Sequence, residues 1–354
     1  MLQQTTHHET FSDQPDRSLY TYSPEVRELG YTLQSVEVPD MSESSPEFAA
    51  NTEAFRQLDE RLAQNPLWEA PQLSQDKTRL ILDPDNHATN TIYGENEDST
   101  TMREWYLKLV PSALALEALA LKSKTLPTTD IEIDQNAFDI FMYAADARSI
   151  RSRGALMSEL IAEHSATKSS GEPQKWLSLA CGAARPVLEA AARVKADKQT
   201  PIDVTLVDFD PVVLDYSSKL ADSMGAVTGH REIESDLCRS MIPRDTLVEE
   251  LGEESMDVVD VLGFLEYCSD KSAMRMLRNS YRLVAPGGVL ITSNMRDDRP
   301  EKQLHLRGIG WPGVKMRSSD ELIEVAIQAG INPSCIEAYQ PTDGVYTVFK
   351  ITKP

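Results

Sequence analysis

The chain contains few cysteines and no long apolar run, and both shortages exclude whole classes of protein. Its four cysteines, at positions 181, 238, 268 and 335, lie far apart and include no Cys-x-x-Cys pair. We therefore expect neither a disulfide framework nor a bound metal. No apolar stretch approaches the roughly 20 residues of a membrane-spanning helix, and residues 1–16 lack the basic and apolar segments of a secretory signal. These absences predict a cytoplasmic protein that does not act at a membrane.

Positive charge is also scarce. The chain has 35 Lys and Arg residues against 56 Asp and Glu, which gives a net charge of −21. Residues 1–100 alone carry 19 acidic residues against 6 basic ones. Such a chain repels nucleic acid and anionic membrane surfaces unless basic residues are concentrated in one patch, and no run of Lys or Arg is present. A small-molecule partner is therefore favoured, with no nucleic acid.

Three regions follow one another along the chain. Residues 1–100 are acidic and poor in aliphatic residues, which predicts a partly disordered arm with one short helix over 45–64. Residues 101–168 contain amphipathic stretches, interrupted by Pro111, and predict a helical cap. In 169–354 short apolar strands alternate with helical segments, which is typical of parallel βαβ units. Two final strands have no helix between them and predict an antiparallel hairpin.

The turn after the first strand of the third region has the character of a ligand site. The strand WLSLA runs into small residues and then into a helix with Pro186 near its start. Small residues let the backbone approach a ligand, and a helix N-terminus presents unpaired N–H groups. Close packing between strand and helix is the alternative explanation. The turn consists of Ala180, Cys181, Gly182, Ala183 and Ala184.

An acidic residue ends the second strand, one βα unit downstream. The Asp208 carboxylate can accept hydrogen bonds from both hydroxyls of a ribose, as acids at this position do in dinucleotide folds. Asp210 competes for that role, but it can instead cap the helix that begins at Pro211. We favour Asp208 as the ribose ligand and Asp210 as the cap.

Three further segments complete a series. Asp236 and Leu237 follow a third strand, where a carboxylate could accept the amino group of an adenine; a solvated loop acid is the alternative. The fourth strand, MDVVDVLG, opens at Gly263 into the segment FLEY. The fifth follows the Pro-Gly-Gly turn at 286–288.

Taken in order, the segments LSLACGAAR, LVDFDP, ESDL, MDVVDVLGFLEY and LVAPGGVLI resemble the successive motifs of class I S-adenosylmethionine-dependent methyltransferases. The resemblance covers about residues 174–354. It implies an α/β fold with a seven-stranded, mostly parallel, doubly wound sheet whose last strand is antiparallel, preceded here by a helical extension. It also implies that the cofactor is S-adenosylmethionine. Its contacts by motif position would be Ala180, Cys181, Gly182 and Ala183 to the methionine part, Asp208 and Phe209 around the ribose, Asp236 and Leu237 at the adenine, and Leu262 and Gly263 near the sulfonium.

The first motif departs from the family pattern. It usually opens with an acid and carries three glycines, whereas here Ser178 takes the place of the acid and Ala180 and Ala184 replace two glycines. The absent acid removes one expected polar contact to the cofactor. An NAD(P)-dependent oxidoreductase is one alternative, although the G-x-G-x-x-G pattern is missing. A non-catalytic protein that binds the cofactor or serves as a scaffold is another.

The acceptor side has weaker signals. Methyl transfer depends mainly on alignment, so a general base is needed only when the acceptor must lose a proton. A helix over 142–153 could cover the cofactor with Tyr143 and direct an arginine at an acidic acceptor, although a helix packed on the sheet with solvated arginines is the alternative. Each candidate also has a structural explanation. The candidates are Tyr267 and His305 as catalytic groups and Tyr143, Arg148, Asn294, Arg296 and Trp311 as contacts to the acceptor.

Overall fold

Nine strands form one sheet in the computed structural model, which describes residues 21–39, 47–64, 92–93, 100–120, 124–168, 171–198, 200–311 and 313–354. The predicted number of seven strands was wrong, because two additional strands come from the N-terminal region. The strands are β1 (Thr21–Val26), β2 (Thr32–Glu37), β3 (Gln174–Leu179), β4 (Ile202–Asp208), β5 (Gly229–Glu234), β6 (Met256–Val261), β7 (Val284–Met295), β8 (Ile336–Pro341) and β9 (Tyr346–Thr352).

The strand order is β1-β2-β8-β9-β7-β6-β3-β4-β5. Strands β3 to β7 pair in parallel, and β9 lies antiparallel between β7 and β8. The predicted terminal hairpin is therefore confirmed. The chain moves outward from β3 to β5 and then returns to place β6 on the other side of β3. Ligands of doubly wound sheets bind beyond the carboxyl ends of the strands at such a reversal.

Residues 21–37 extend the sheet beside the terminal hairpin. Strand β2 pairs in parallel with β8, and β1 pairs antiparallel with β2. Two side chains anchor this addition: Tyr31 is buried and donates a hydrogen bond to Asp320, and Val36 is buried in the core on one face of the sheet. Low aliphatic content suggested disorder here, but a few well-placed apolar residues suffice for an edge hairpin that has a partner strand.

Helices on both faces complete the domain. They are α6 (Arg185–Lys198), α7 (Pro211–Met224), α8 (Leu237–Ser240), α9 (Thr246–Leu251), α10 (Asp270–Leu283) and α11 (Ser319–Gln328), with 3₁₀ turns at Leu265–Tyr267 and Pro333–Cys335 and a π-helical turn at Leu304–Ile309. Two apolar cores, one on each face, hold the layers together. One surrounds Trp176 and Leu188, and the other surrounds Leu177 and Leu277.

Five helices precede the sheet domain: α1 (Phe48–Gln64), α2 (Thr100–Lys108), α3 (Ala113–Ala120), α4 (Gln135–Tyr143) and α5 (Ala145–Ala166). The predicted short helix is confirmed as α1, and Pro111 lies between α2 and α3 as expected. A third apolar core around Trp105 and Phe141 joins these helices to one another. Helix α5 also packs on the sheet domain through Leu156 and Leu160. None of the helices described is long and apolar enough to cross a membrane.

Candidate functional site

The turn that follows β3 has an unusual backbone. Ala180, Gly182 and Ala184 have φ values of 49°, 53° and 56°, so three of five residues adopt the left-handed conformation. This conformation is unfavourable for alanine and persists only where the surroundings enforce it, often at functional sites. A Cβ atom on Gly182 would lie 2.7 Å from the Cβ of Ala113. The first residue of α3 therefore rests directly on the turn.

Asp208 holds this turn in place from the end of β4. Its carboxylate is buried and accepts hydrogen bonds from the Gly182 N–H at 3.0 Å and from the Asp210 N–H at 3.1 Å. Burial raises the pKa of Asp208, and the backbone donors oppose that rise. A carboxylate has about four acceptor positions, so two hydrogen bonds leave capacity for a ligand. Asp210 caps α7 through the Val212 N–H at 2.9 Å, which is the structural role expected for it.

Apolar surface lies open next to Asp208. The side chain of Phe209 is 72% exposed, and that of Val212 is 57% exposed. Scattered exposed apolar residues are common, but here two occur together beside a buried carboxylate. A ligand with a flat ring next to a diol would cover the apolar surface and reach the acid.

A second acid, Asp260, lies in the adjacent strand. It pairs in register with Ser178, whose hydroxyl donates to the Asp260 Oδ1 atom at 3.0 Å. The other oxygen, Oδ2, is buried and has no hydrogen-bond partner. Burial raises the pKa of Asp260 to about 7. The sequence analysis missed this residue, although an acid inside the apolar strand MDVVDV was a visible signal.

The remaining predicted cofactor contacts lie around the same strand ends. Asp236 caps α8 by accepting the Cys238 N–H at 2.9 Å, and it pairs with Arg239 at 3.2 Å, while Leu237 is buried. Ala180, Cys181, Leu262 and Gly263 are all partly exposed at the carboxyl ends of β3 and β6. The crevice between these two strand ends is therefore accessible from solvent.

A buried cation lies at the end of β6. Arg153 of α5 pairs with Glu266 at 3.2 Å and stacks over the ring of Tyr346 at 4.2 Å. A Cβ atom on Gly263 would lie 3.2 Å from the Arg153 Nη1 atom. Burial raises the pKa of Glu266 to about 7, although Arg153 opposes the rise. Arg148, the predicted contact, instead stacks over Phe48 within the cap.

Next to this pair lies a buried aspartate–histidine pair. The Asp146 carboxylate contacts His305 Nδ1 at 3.1 Å and accepts a hydrogen bond from Arg299. Burial opposes ionisation of Asp146, but Arg299 and His305 together hold its pKa well below the usual range. Three nitrogen atoms of the region, Arg153 Nε, Arg299 Nη2 and His305 Nε2, are buried without a hydrogen-bond partner. They could therefore donate to, or accept from, a bound molecule.

The other predicted acceptor contacts have partners within the protein. Asn294 is buried, donates to the Lys315 carbonyl at 3.2 Å and accepts from Arg317 at 2.9 Å. Arg296 pairs with Asp298 at 2.7 Å on the surface. Residues further out contact one another: Trp311 donates to the Tyr267 hydroxyl at 2.7 Å, and the rings of Tyr143 and Phe48 meet edge to face.

Seven strands, β3 to β9, with the last antiparallel, constitute the class I methyltransferase fold, which this chain extends by two strands. No family model and no curated protein matches the sequence. A solved structure of a "possible exported protein" from Bordetella parapertussis is 16% identical, with a TM-score of 0.56, and the match covers 88% of this chain and 99% of that one. This likeness concerns the fold alone, and our cytoplasmic placement remains a prediction.

Two methyltransferase structures are also similar. An O-methyltransferase family protein from Burkholderia thailandensis is 19% identical over 62% of this chain and 60% of that one, with a TM-score of 0.44. The S-adenosylmethionine-dependent methyltransferase SibL is 15% identical over 72% and 73%, also with a TM-score of 0.44. These scores are too low to support an inference about the chemistry of this chain.

Proposed function

We propose that the protein is an S-adenosylmethionine-dependent methyltransferase that acts on a small acceptor. The observation that carries this proposal is the pairing of the strained turn 180–184 with Asp208 at the strand-order reversal. Asp208 has acceptor capacity for ribose hydroxyls, and Phe209 offers an apolar surface for an adenine. These residues fit the adenosine half of the cofactor.

Charge favours this cofactor over a dinucleotide. Asp208 and Asp260 are both buried near the turn, and neither is paired with a side-chain cation. A cationic ligand is attracted to such a crevice, whereas the pyrophosphate of NAD would be repelled. The oxidoreductase alternative is therefore disfavoured.

On the acceptor side, the chain's own groups bind, orient and accept a proton. When bound, the cofactor supplies a methyl group already activated by its sulfonium, so alignment provides much of the acceleration. Arg153 and Arg299 offer free N–H groups that suit an acceptor oxygen. The Nε2 atom of His305 can take a proton from a hydroxyl, because Asp146 fixes the imidazole through Nδ1. We therefore propose an oxygen-bearing small molecule as the acceptor.

Calorimetric titration of the full chain with S-adenosylmethionine, S-adenosylhomocysteine and NAD tests the cofactor. We expect the first two to bind and NAD to bind much more weakly. Asp208→Ala should weaken both by at least about tenfold, the cost of one charged hydrogen bond, whereas Asp215→Asn on the exposed face of α7 should not. Preference for NAD, or binding of none of the three, would refute the proposal.

Turnover separates an enzyme from a cofactor-binding scaffold. The protein would be incubated with labelled S-adenosylmethionine and a panel of small phenols, alcohols, carboxylic acids and amines. Methylation confined to the oxygen-bearing members is expected. Tight cofactor binding with methylation of amines alone would contradict our choice of acceptor.

A further inference from the structure

The Asp260 carboxylate has no counter-ion in the structure. Its side chain lies in the central strand β6, and the residue is 3% exposed. Ser178 donates to Oδ1, and the Leu262 N–H also favours the ionised form, but Oδ2 has no partner. Burying a polar group without a hydrogen bond is costly, so each such atom in a folded protein calls for a physical reason.

Asp260 belongs to the crevice rather than to the distant core. It pairs with Ser178, which lies two residues before the turn that begins at Ala180, and it precedes Gly263 by three residues. The Cys181 thiol within the turn senses both acids: after burial, Asp208 and then Asp260 raise its pKa. The two carboxylates therefore lie close to the same turn, one in β4 and one in β6.

The missing partner must be a cation that donates hydrogen bonds. An anion or a second acceptor would be repelled by the carboxylate, and an apolar group would leave Oδ2 unsatisfied. A sulfonium has positive charge but no N–H group. A primary ammonium has both, with three donors on one atom.

We propose that Asp260 binds the α-ammonium group of the cofactor's amino-acid part, in place of the acid that is absent at Ser178. This inference rests on the proposed function. The acid has moved sideways by one strand: Ser178 and Asp260 are register partners joined by a hydrogen bond, so a carboxylate on either strand reaches nearly the same place. The departure in the first motif is thereby compensated within the sheet.

Three ligands test the proposal by calorimetry. S-adenosylmethionine and S-adenosylhomocysteine carry the ammonium, whereas 5′-methylthioadenosine keeps the adenosine and lacks the amino-acid part. For Asp260→Asn we expect the first two to bind about 10–100-fold more weakly, as for loss of a buried charged hydrogen bond. Binding of 5′-methylthioadenosine should change less than about threefold on the same grounds.

An exchange variant keeps the test decisive. Ser178→Asp combined with Asp260→Ser returns a carboxylate to the pair from the other strand, and it should recover most of the lost affinity. Asp215→Asn serves as the exposed-acid control. If Asp260→Asn loses 5′-methylthioadenosine as well, the exchange variant decides: no recovery there overturns the proposal.

The outcomes separate this inference from the proposed function. If the unaltered protein binds none of the three ligands, the proposed function fails, and Asp260 has no such role. If it binds all three and Asp260→Asn weakens them equally or not at all, the methyltransferase assignment stands and the ammonium site is refuted.

Discussion

Replacing Asp260 by asparagine should stabilise the protein, and the gain should grow with pH. The carboxyl has a pKa of 3.8 in an unfolded chain and about 7 in its buried position. The folded protein therefore holds the proton more tightly than the unfolded chain. Stability from that proton is complete below about pH 4 and is lost as the pH rises through about 7.

The size of the effect follows from the same two values. Linkage gives a relative loss on the order of 2–3 kcal/mol between about pH 5 and pH 8 for the protein with Asp260. Asparagine keeps the shape and does not titrate, so the variant escapes this loss. Glu266 and Glu301, whose pKa values burial also raises to about 7, titrate in both proteins and cancel in the difference. Asp208 and Cys181, which lie near Asp260, are likewise common to both.

Urea unfolding of both proteins across this pH range, without ligand, measures the difference. The curves of unfolding free energy against pH should diverge as pH rises, with the variant above. Parallel curves would show that Asp260 is not a buried, unpaired acid, and would refute the reasoning on which its proposed role depends. Asp215→Asn, at an exposed position, should run parallel to the unaltered protein.

Three further predictions follow from the site. Gly182→Ala should lower stability by about 1–3 kcal/mol in thermal unfolding, because its Cβ would meet Ala113; an unchanged melting temperature would contradict the contact. Glu117→Gln should cost about 3 kcal/mol in urea unfolding, because the buried Glu117 pairs with Arg185 and accepts from Tyr216; a loss below about 1 kcal/mol would mean that the pair is solvated. His305→Ala should lower kcat at least about 100-fold with little change in KM for the acceptor, whereas Arg296→Ala should leave both near normal; equal effects would exclude His305 as the base.

Much of the sheet domain could be predicted because its signals are local. Asp210 follows a strand and precedes a proline, so its role as a cap can be read from four consecutive residues. The terminal hairpin needs only two strands and a turn. The extra strands could not be found this way, because β2 pairs with β8 about 300 residues later in the chain.

The site shows the same division. Periodicity identified an arginine-bearing helix over 142–153, but only packing shows that Arg153, and not Arg148, reaches the end of β6. Asp260 is conspicuous as an acid within an apolar strand. Its relation to Ser178 depends on the alignment of two strands that are 82 residues apart in the chain.

The N-terminal hairpin has a consequence for how the molecule behaves among its copies. With β2 in place, the backbone of β8 is fully engaged, and the free border of the sheet moves out to β1, where Val26 is 77% exposed. Without residues 21–37, the long hairpin of β8 and β9 would present unpaired amides and carbonyls along its outer side, which invites strand pairing between molecules. The segment thus acts as a guard against self-association, independent of any chemistry in the crevice.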